Sequence, residues 1–377
     1  MIPIEEIQEI ARKYDRITIG VLGSHSAEEV GISTKQMGYP VAVICQKGRE
    51  TLYAKHNKHL FDRVILLDKF SDLLNDKVQE RLREIGTIFI PNRSFSVYLG
   101  YDGIETKFKI PLYGSRQMLR TEDRNAPKNQ YHILEEAGIR TPKYFKSPDD
   151  IDRLAIVKVQ QKDNPLERAF FYPTDVDEYY SQAKELLDKE VVSEDGLKEA
   201  RIEEFVIGPR FNANFQGYAM EEKFGDIDFV GFEDRIQTNL AGFLNLPAKE
   251  QLKIKNFYPK NEEVGHKGVT MRESLKPLVY EAAEKFRRTV KKIYPPGMIG
   301  LFSLQGALPY NPETKRPEFV VFDVSPRIPG CPCVGPTSPE MRRLSIKYRQ
   351  EITSPLDLSL MEIKYAFGNN LLKNIVT

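Results

Sequence analysis

Three groups of residues have types and spacings that could do chemistry. The first is the turn Gly23-Ser24-His25-Ser26, which follows the apolar run "ITIGVL" and opens an amphipathic segment. A helix start offers unpaired N–H groups and a partial positive charge, so it suits a phosphate or a carboxylate. The same letters also allow a plain helix start. Ser26-Ala27-Glu28-Glu29 has the form of a capping box, in which Ser26 caps and Glu29 reaches back.

The second group joins "IVKV", with Lys158, to "IEEFVIG", with Glu203, Glu204, Phe205 and Val206. A lysine at a strand end can reach the phosphates of a nucleotide. A hinge of the second type can read an adenine edge through its backbone, and Asn212 beyond it is a polar contact for the same ligand. The third group is "LFSLQ", ending at Gln305, and "VVFDVSPR", with Asp323 and Arg327. Two antiparallel strands would set Gln305 beside Asp323. An amide oxygen and a carboxylate suit Mg²⁺, a hard cation that keeps waters and phosphate oxygens as well. Arg327 could hold a transferring phosphate in a bidentate grip. No group is specific alone, since strand-end lysines and polar strand pairs are often only solvated.

The elements needed to position these groups are legible. Over the first 120 residues, short Val/Ile-rich runs ("ITIGVLG", "PVAVIC", "RVILLD", "TIFIPN") alternate with polar, helix-compatible segments. That alternation argues a Rossmann-like parallel sheet with helical crossovers. Ligands gather at the carboxyl ends of such strands, where the Gly23–Ser26 turn and "PNRSF", with Ser94, both fall. From about 121 the pattern becomes antiparallel strands with flanking helices, so α+β follows α/β. The boundaries expected are 1–120, 121–200 and 201–377, the last ending in helices.

The chain has 377 residues, 55 basic and 54 acidic side chains, and 29% charged against 41% hydrophobic residues. With the charges nearly balanced, no overall field would draw nucleic acid or an anionic membrane. No apolar stretch approaches the ~20 residues of a membrane span. Three cysteines, Cys45, Cys331 and Cys333, suit a reducing cytoplasm. "CPC" lacks the spacing of a redox or zinc motif.

The order of lysine strand, hinge and paired metal-ligand strands is that of an ATP-grasp domain. The chain also resembles the archaeal-type 5-formaminoimidazole-4-carboxamide ribonucleotide (FAICAR) synthetases, nearly end to end. The resemblance is carried by "LGSH", "KGRE", "PNRSF", "PLYGSR", "EEAGIRTPK", "SPDDID", "IVK", "EEFVIG", "LPAKEQL", "RESL", "PPGMIGLFSLQ" and "VVFDVSPR" in that order. It implies a Rossmann-like pre-ATP-grasp domain followed by an ATP-grasp domain. It also implies a ligase that joins formate to aminoimidazole carboxamide ribonucleotide (AICAR), with ATP and Mg²⁺, through formyl phosphate. Ser24, His25, Ser26, Ser94, Arg235 and Asn239 would then line the AICAR site. Lys158 would meet ATP phosphates, Glu203 to Val206 and Asn212 would hold the nucleotide, Gln305 and Asp323 the metal, and Arg327 the phosphoryl group. A cytoplasmic homo-oligomer is implied as well.

Three departures from the family pattern qualify this. A glycine-rich loop should follow Lys158, where this chain has "VQQKDNPLERAFF", with Pro165 and no glycine. Glycines there would let backbone N–H groups close over a triphosphate. Lys162 or Arg168 could substitute side-chain charge. Asp323 replaces a glutamate, and Cys333 stands where an asparagine is expected. Arg93 adds a charge beside Ser94. Two readings follow: an active ligase with an altered loop, or a paralogue that binds a purine ribonucleotide without ligating. A different ATP-dependent carboxylate–amine ligase is a third.

Overall fold

The Val/Ile-rich runs form a four-stranded parallel sheet, in the order β3-β2-β1-β4, from β1 (Thr18–Leu22), β2 (Val41–Gln46), β3 (Arg63–Leu67) and β4 (Thr87–Phe89). The structure is a computed structural model and describes residues 1–162, 168–237, 242–254, 263–311 and 314–377. β1 is buried along its whole length because both faces of the sheet are covered, which is why it reads as continuous rather than alternating. Ile19, Val21, Val41 and Val43 pack on one side with residues of α1 (Ile4–Arg12) and α2 (Ala27–Gln36). Leu22, Ile44 and Phe89 pack on the other with Leu82 of α3 (Asp76–Glu84) and with Phe95 of α4 (Arg93–Leu99).

After α5 (Gln130–Glu136) comes a small antiparallel sheet. It contains β5 (Tyr144–Phe145), β6 (Ala155–Gln160), β7 (Arg168–Phe171) and β8 (Arg201–Glu204), in the order β5-β8-β6-β7. On β6, Ala155, Val157 and Val159 turn inward to meet Tyr179 and Ala183 of α6 (Val176–Asp188). Strand alternation therefore sends Lys158 to the opposite face.

The large sheet runs β11-β10-β9-β12-β15 and is antiparallel throughout. Its strands are β9 (Arg210–Gly217), β10 (Ile227–Gln237), β11 (Glu263–Val269), β12 (Gly300–Ala307) and β15 (Val320–Ser325). Between the last two, β13 (Tyr310–Asn311) and β14 (Arg316–Pro317) pair as a short ribbon. α7 (Lys276–Ile293) lays Val279, Ala283, Phe286 and Val290 on Phe215 and Phe302 of this sheet. The apolar face of that helix is thus taken up within the chain.

α8 (Pro339–Tyr348) and α9 (Pro355–Gly368) close the structure. Leu356, Leu358, Leu360 and Ile363 of α9 enter the same cluster as β1 and α2, so one core runs from the parallel sheet to the last helix. Arg116, 4% exposed, pins the junction. Its guanidinium donates to the carbonyls of Ile104, Phe108, Ile110 and Thr377 at 2.7 to 3.1 Å. Burial pulls its pKa down to about 10, so it stays charged at neutral pH. Among the described residues, no helix is long and apolar enough to cross a membrane.

Candidate active site

The turn after β1 is built tightly. A Cβ at Gly23 would stand 2.8 Å from Cys45 Sγ and 3.1 Å from Ile44 O, so only glycine lets the chain leave the sheet there. Ser26 is left-handed, with φ 63°, a conformation that costs a non-glycine residue on the order of 1 kcal/mol or more. The capping box expected at this point does not form. Ser26 makes no side-chain cap, because a capping serine needs an extended backbone. Its Oγ lies instead 2.9 Å from His25 Nδ1, and Glu29 lies near Ser354.

Asn92 locks this turn to the next one. Its Nδ2 donates to the carbonyls of Leu22 and His25, both at 2.9 Å, and its Oδ1 accepts from Phe95 N to cap α4. That brings Ser94 Oγ within 2.7 Å of Ser24 Oγ. Ser24, His25, Ser26 and Ser94 therefore stand together at the carboxyl edge of the parallel sheet.

The large sheet meets them there. The ring of His266, on β11, sits edge-on to His25 with centroids 5.7 Å apart. His266 Nδ1 is 2.8 Å from Glu233 Oε2 on β10, and Glu233 Oε1 accepts from Asn212 Nδ2 on β9 at 2.6 Å. Asn212 thus faces a carboxylate, not the hinge. Cys333 lies close by, its thiol pushed up to about 12 by burial and by Glu233.

Gln305 and Asp323 are register partners on β12 and β15. Arg235 Nη2 donates to Gln305 Oε1 at 2.7 Å, and Arg124 Nη2 lies 3.6 Å from Asp323 Oδ1. Burial tends to raise the Asp323 pKa, but the charges of Arg124, Arg235 and Lys158 hold it below the usual carboxylate range. Four residues on, Arg327 Nε is 3.0 Å from Glu122 Oε1, and Arg93 Nη1 is 2.6 Å from Glu122 Oε2. Glu122 thereby bridges α4, beside the nucleotide-like turn, to the segment after β15. Burial, with Arg93 and Arg235 nearby, depresses the Arg327 pKa.

Lys158 points toward this cluster but is engaged. Its Nζ is 2.6 Å from Glu203 Oε2, in a pair whose side chains are 9% and 1% exposed. Arg201 holds the other Glu203 oxygen and lies over the ring of Tyr131. Burial would raise the Glu203 pKa, yet Lys158 and Arg201 keep it below its ordinary value. Next along the hinge, Glu204 Oε2 accepts from Lys143 N, and Phe205 N donates to Leu154 O. Val206 is half-buried.

Asn239 lies outside the described residues, as do 163–167 with Pro165, and the Arg168 side chain is likewise undescribed. Lys162 faces Glu190 at 3.2 Å on an exposed surface. Among the described residues, no group of three or more His, Cys, Asp or Glu is placed to hold a metal.

Sequence reasoning missed Asn92, Glu122, Arg124, Glu233 and His266. Asn92 alone left a local signal, an asparagine opening "NRSF" at a helix start. Glu122→Gln should keep the shape of the bridge but lose its charge. The expected result is weaker seating of Arg327, a fall in turnover of about 10- to 100-fold and a lower melting temperature, because two guanidinium groups lose their shared buried counter-charge. Steady-state kinetics beside a melting curve checks this, and an unchanged turnover would count against Arg327 as a phosphoryl contact.

Residues 178–377 match a family described as a domain of unknown function, DUF1297, and residues 19–145 match a protein of unknown function, DUF1246. A 5-formaminoimidazole-4-carboxamide-1-(beta)-D-ribofuranosyl 5'-monophosphate synthetase of Methanocaldococcus jannaschii is 35% identical over 88% of both chains. Its namesake from Methanopyrus kandleri is 34% identical over 100% of both. Among solved structures, an IMP biosynthesis protein PurP from Thermococcus kodakaraensis superposes with a TM-score of 0.66 at 20% identity, over 95% of this chain and 100% of that one. N5-carboxyaminoimidazole synthetase from Staphylococcus aureus complexed with ADP gives 0.55 at 14%, over 92% and 76%. These last two likenesses concern the fold.

Proposed function

Since the chain belongs to the family of 5-formaminoimidazole-4-carboxamide ribonucleotide synthetases, we propose that it formylates AICAR to FAICAR with ATP and formate. The observation that carries this reading is the Arg93–Glu122–Arg327 bridge. It ties the turn cluster of the parallel sheet to the paired strands of the large sheet, so a nucleotide and a phosphoryl donor can meet at one place. The named relatives favour this ligase over a non-catalytic binder, even though the segment after Lys158 lacks glycine.

Formate is a poor acyl donor because its leaving group would be oxide. Transfer of the ATP γ-phosphoryl to formate gives formyl phosphate, whose leaving group is phosphate. The amine of AICAR then attacks the formyl carbon. The protein supplies position and charge neutralisation. Ser24, His25, Ser26 and Ser94, with Arg235 and Asn239, hold AICAR. Glu203 to Val206 take the adenine end, while Asn212 steadies Glu233 on the large sheet. Lys158 leaves Glu203 for the phosphates, and Arg327 takes the phosphoryl group in flight.

For Mg²⁺, Gln305 and Asp323 fit a minimal set. Both oxygens already face cationic guanidinium groups, and Mg²⁺ commonly uses one or two carboxylates plus nucleotide phosphates. When bound, the ion would screen the charge on the β- and γ-phosphates. Balanced charge and free cysteines agree with a cytoplasmic enzyme of small molecules, working as a homo-oligomer as its family suggests.

The test is direct. Purified protein with ATP, Mg²⁺, formate and AICAR should release ADP and formylated nucleotide in equal amounts. Failure to form product, with a thermal shift from AICAR but none from ATP, would overturn the ligase reading in favour of a nucleotide binder.

A further inference from the structure

Resting on that reading, we propose that Arg49 binds the 5'-phosphate of AICAR. The turn groups assigned to that nucleotide, Ser24, His25, Ser26 and Ser94, offer hydroxyls, an imidazole and N–H groups. A phosphomonoester carries about −1.5 to −2 charge at neutral pH, so it calls for a cation beside them.

Arg49 stands at the same edge of the parallel sheet. β1 and β2 run side by side, with Leu22 next to Ile44, so the turns that leave them are neighbours. After β2 ends at Gln46, Gly48 takes a left-handed φ of 85°, and Arg49 N donates to Gln46 O to close the turn. Arg49 Nη1 then donates to Tyr98 Oη at 2.6 Å. Tyr98 and Ser94 lie one turn apart on α4 and share a face. Helical side chains lean toward the N-terminus, so the Tyr98 hydroxyl rises toward Ser94, whose Oγ is 2.7 Å from Ser24 Oγ. A second link runs through Tyr53. Its hydroxyl donates to Ser24 O at 3.3 Å. Burial raises the Tyr53 pKa, and Arg49 is close enough to pull against that rise.

The guanidinium is braced and uncompensated. It lies 5.5 Å from the ring centroids of both Phe70 and Tyr98. Lys47, in the same turn, is spent on Asp68. Glu50, the next residue, lies by the Cys45 thiol and leaves a buried oxygen without a hydrogen bond. Among the described residues, no carboxylate stands at ion-pair distance from Arg49, and Nη1 alone makes a hydrogen bond. Arg49 is exposed, so a ligand can reach it. Its remaining N–H groups can grip two phosphate oxygens in a fork.

Calorimetric titration of the full chain with AICAR, and with its nucleoside, which lacks the phosphate, tests this. Wild type should bind the nucleotide more tightly than the nucleoside. Arg49→Met keeps an apolar stem without the charge. It should weaken AICAR binding about 10- to 100-fold and leave nucleoside affinity unchanged, an outcome that a merely structural role would not give. Arg49→Lys should fall between, because a point charge cannot form the fork. In the ligase assay, Arg49→Met should raise KM for AICAR by a similar factor with KM for ATP unchanged. Unchanged AICAR affinity in Arg49→Met, equal weakening of nucleotide and nucleoside, or equal rises in both KM values would overturn the assignment. So would wild-type protein that binds nucleotide and nucleoside alike. Wild type that binds AICAR but forms no product would overturn the ligase reading alone, and the titrations would still decide Arg49. Wild type that binds neither would overturn both.

Discussion

Lys158→Met should abolish formylation of AICAR and also destabilise the fold. Loss of activity follows if Lys158 is the cation that meets the ATP phosphates. Loss of stability follows from what the lysine touches in the absence of nucleotide. Its ammonium neutralises Glu203, whose side chain is 1% exposed. Breaking a buried pair by removing one partner costs about 3–5 kcal/mol, because the other charge is stranded. Arg201 still grips Glu203, so the loss belongs at the lower end of that range.

Adding Glu203→Gln to Lys158→Met should restore most of the stability and none of the activity. Chemical denaturation and the ligase assay read the two effects separately. A Lys158→Met protein with full activity would remove Lys158 from the ATP site. The pH dependence has a definite sign. The folded Glu203 pKa lies below its ordinary value, so the pair contributes fully above the unfolded glutamate value of ~4.3. Its contribution fades as pH falls through the lower folded value. The stability gap between wild type and the double variant should narrow only in acid.

Arg116→Met should cost even more, on the order of 4–5 kcal/mol, with no direct effect on chemistry. Its guanidinium donates to four main-chain oxygens, those of Ile104, Phe108, Ile110 and Thr377, the last of which also accepts from Leu112 N. Each carbonyl left unsatisfied costs about 1–3 kcal/mol, and the losses do not simply add. Arg116→Lys should recover little, since one ammonium cannot reach the spread that a planar fork covers. The expected reading is a much lower urea midpoint together with an ordinary KM for AICAR in the fraction that remains folded. An unfolding free energy within about 0.5 kcal/mol of wild type would show that water replaces the guanidinium at this junction.

The parallel sheet was legible because burial on both faces leaves β1 and β2 apolar at nearly every position. The pairing of Gln305 with Asp323 was legible because two apolar strand-like runs flank a turn-rich connection, although the register shifts just after Gln305. The capping box at Ser26 was misread because its letters are satisfied equally by a left-handed residue, and backbone hand is set by the close approach of the turn to β2. Glu122, Arg124, Glu233 and His266 carry no motif. Each matters only through a partner far away in the chain, so spacing along the sequence says nothing of them. The apolar stripe of α7 showed that a helix must bury a face, but not whether its cover is a sheet or a second subunit.

The Glu122 bridge also bears on how the protein comes to life after synthesis. Arg93, Glu122 and Arg327 belong to segments that can each acquire local structure early, yet Glu122 and Arg327 meet from distant parts of the chain. Closing such large loops is slow compared with forming helices. During refolding, helical signal should return first and catalytic competence last, leaving an interval in which both sheets exist and no site does. A chaperone or an early-bound nucleotide would exert its influence in that interval.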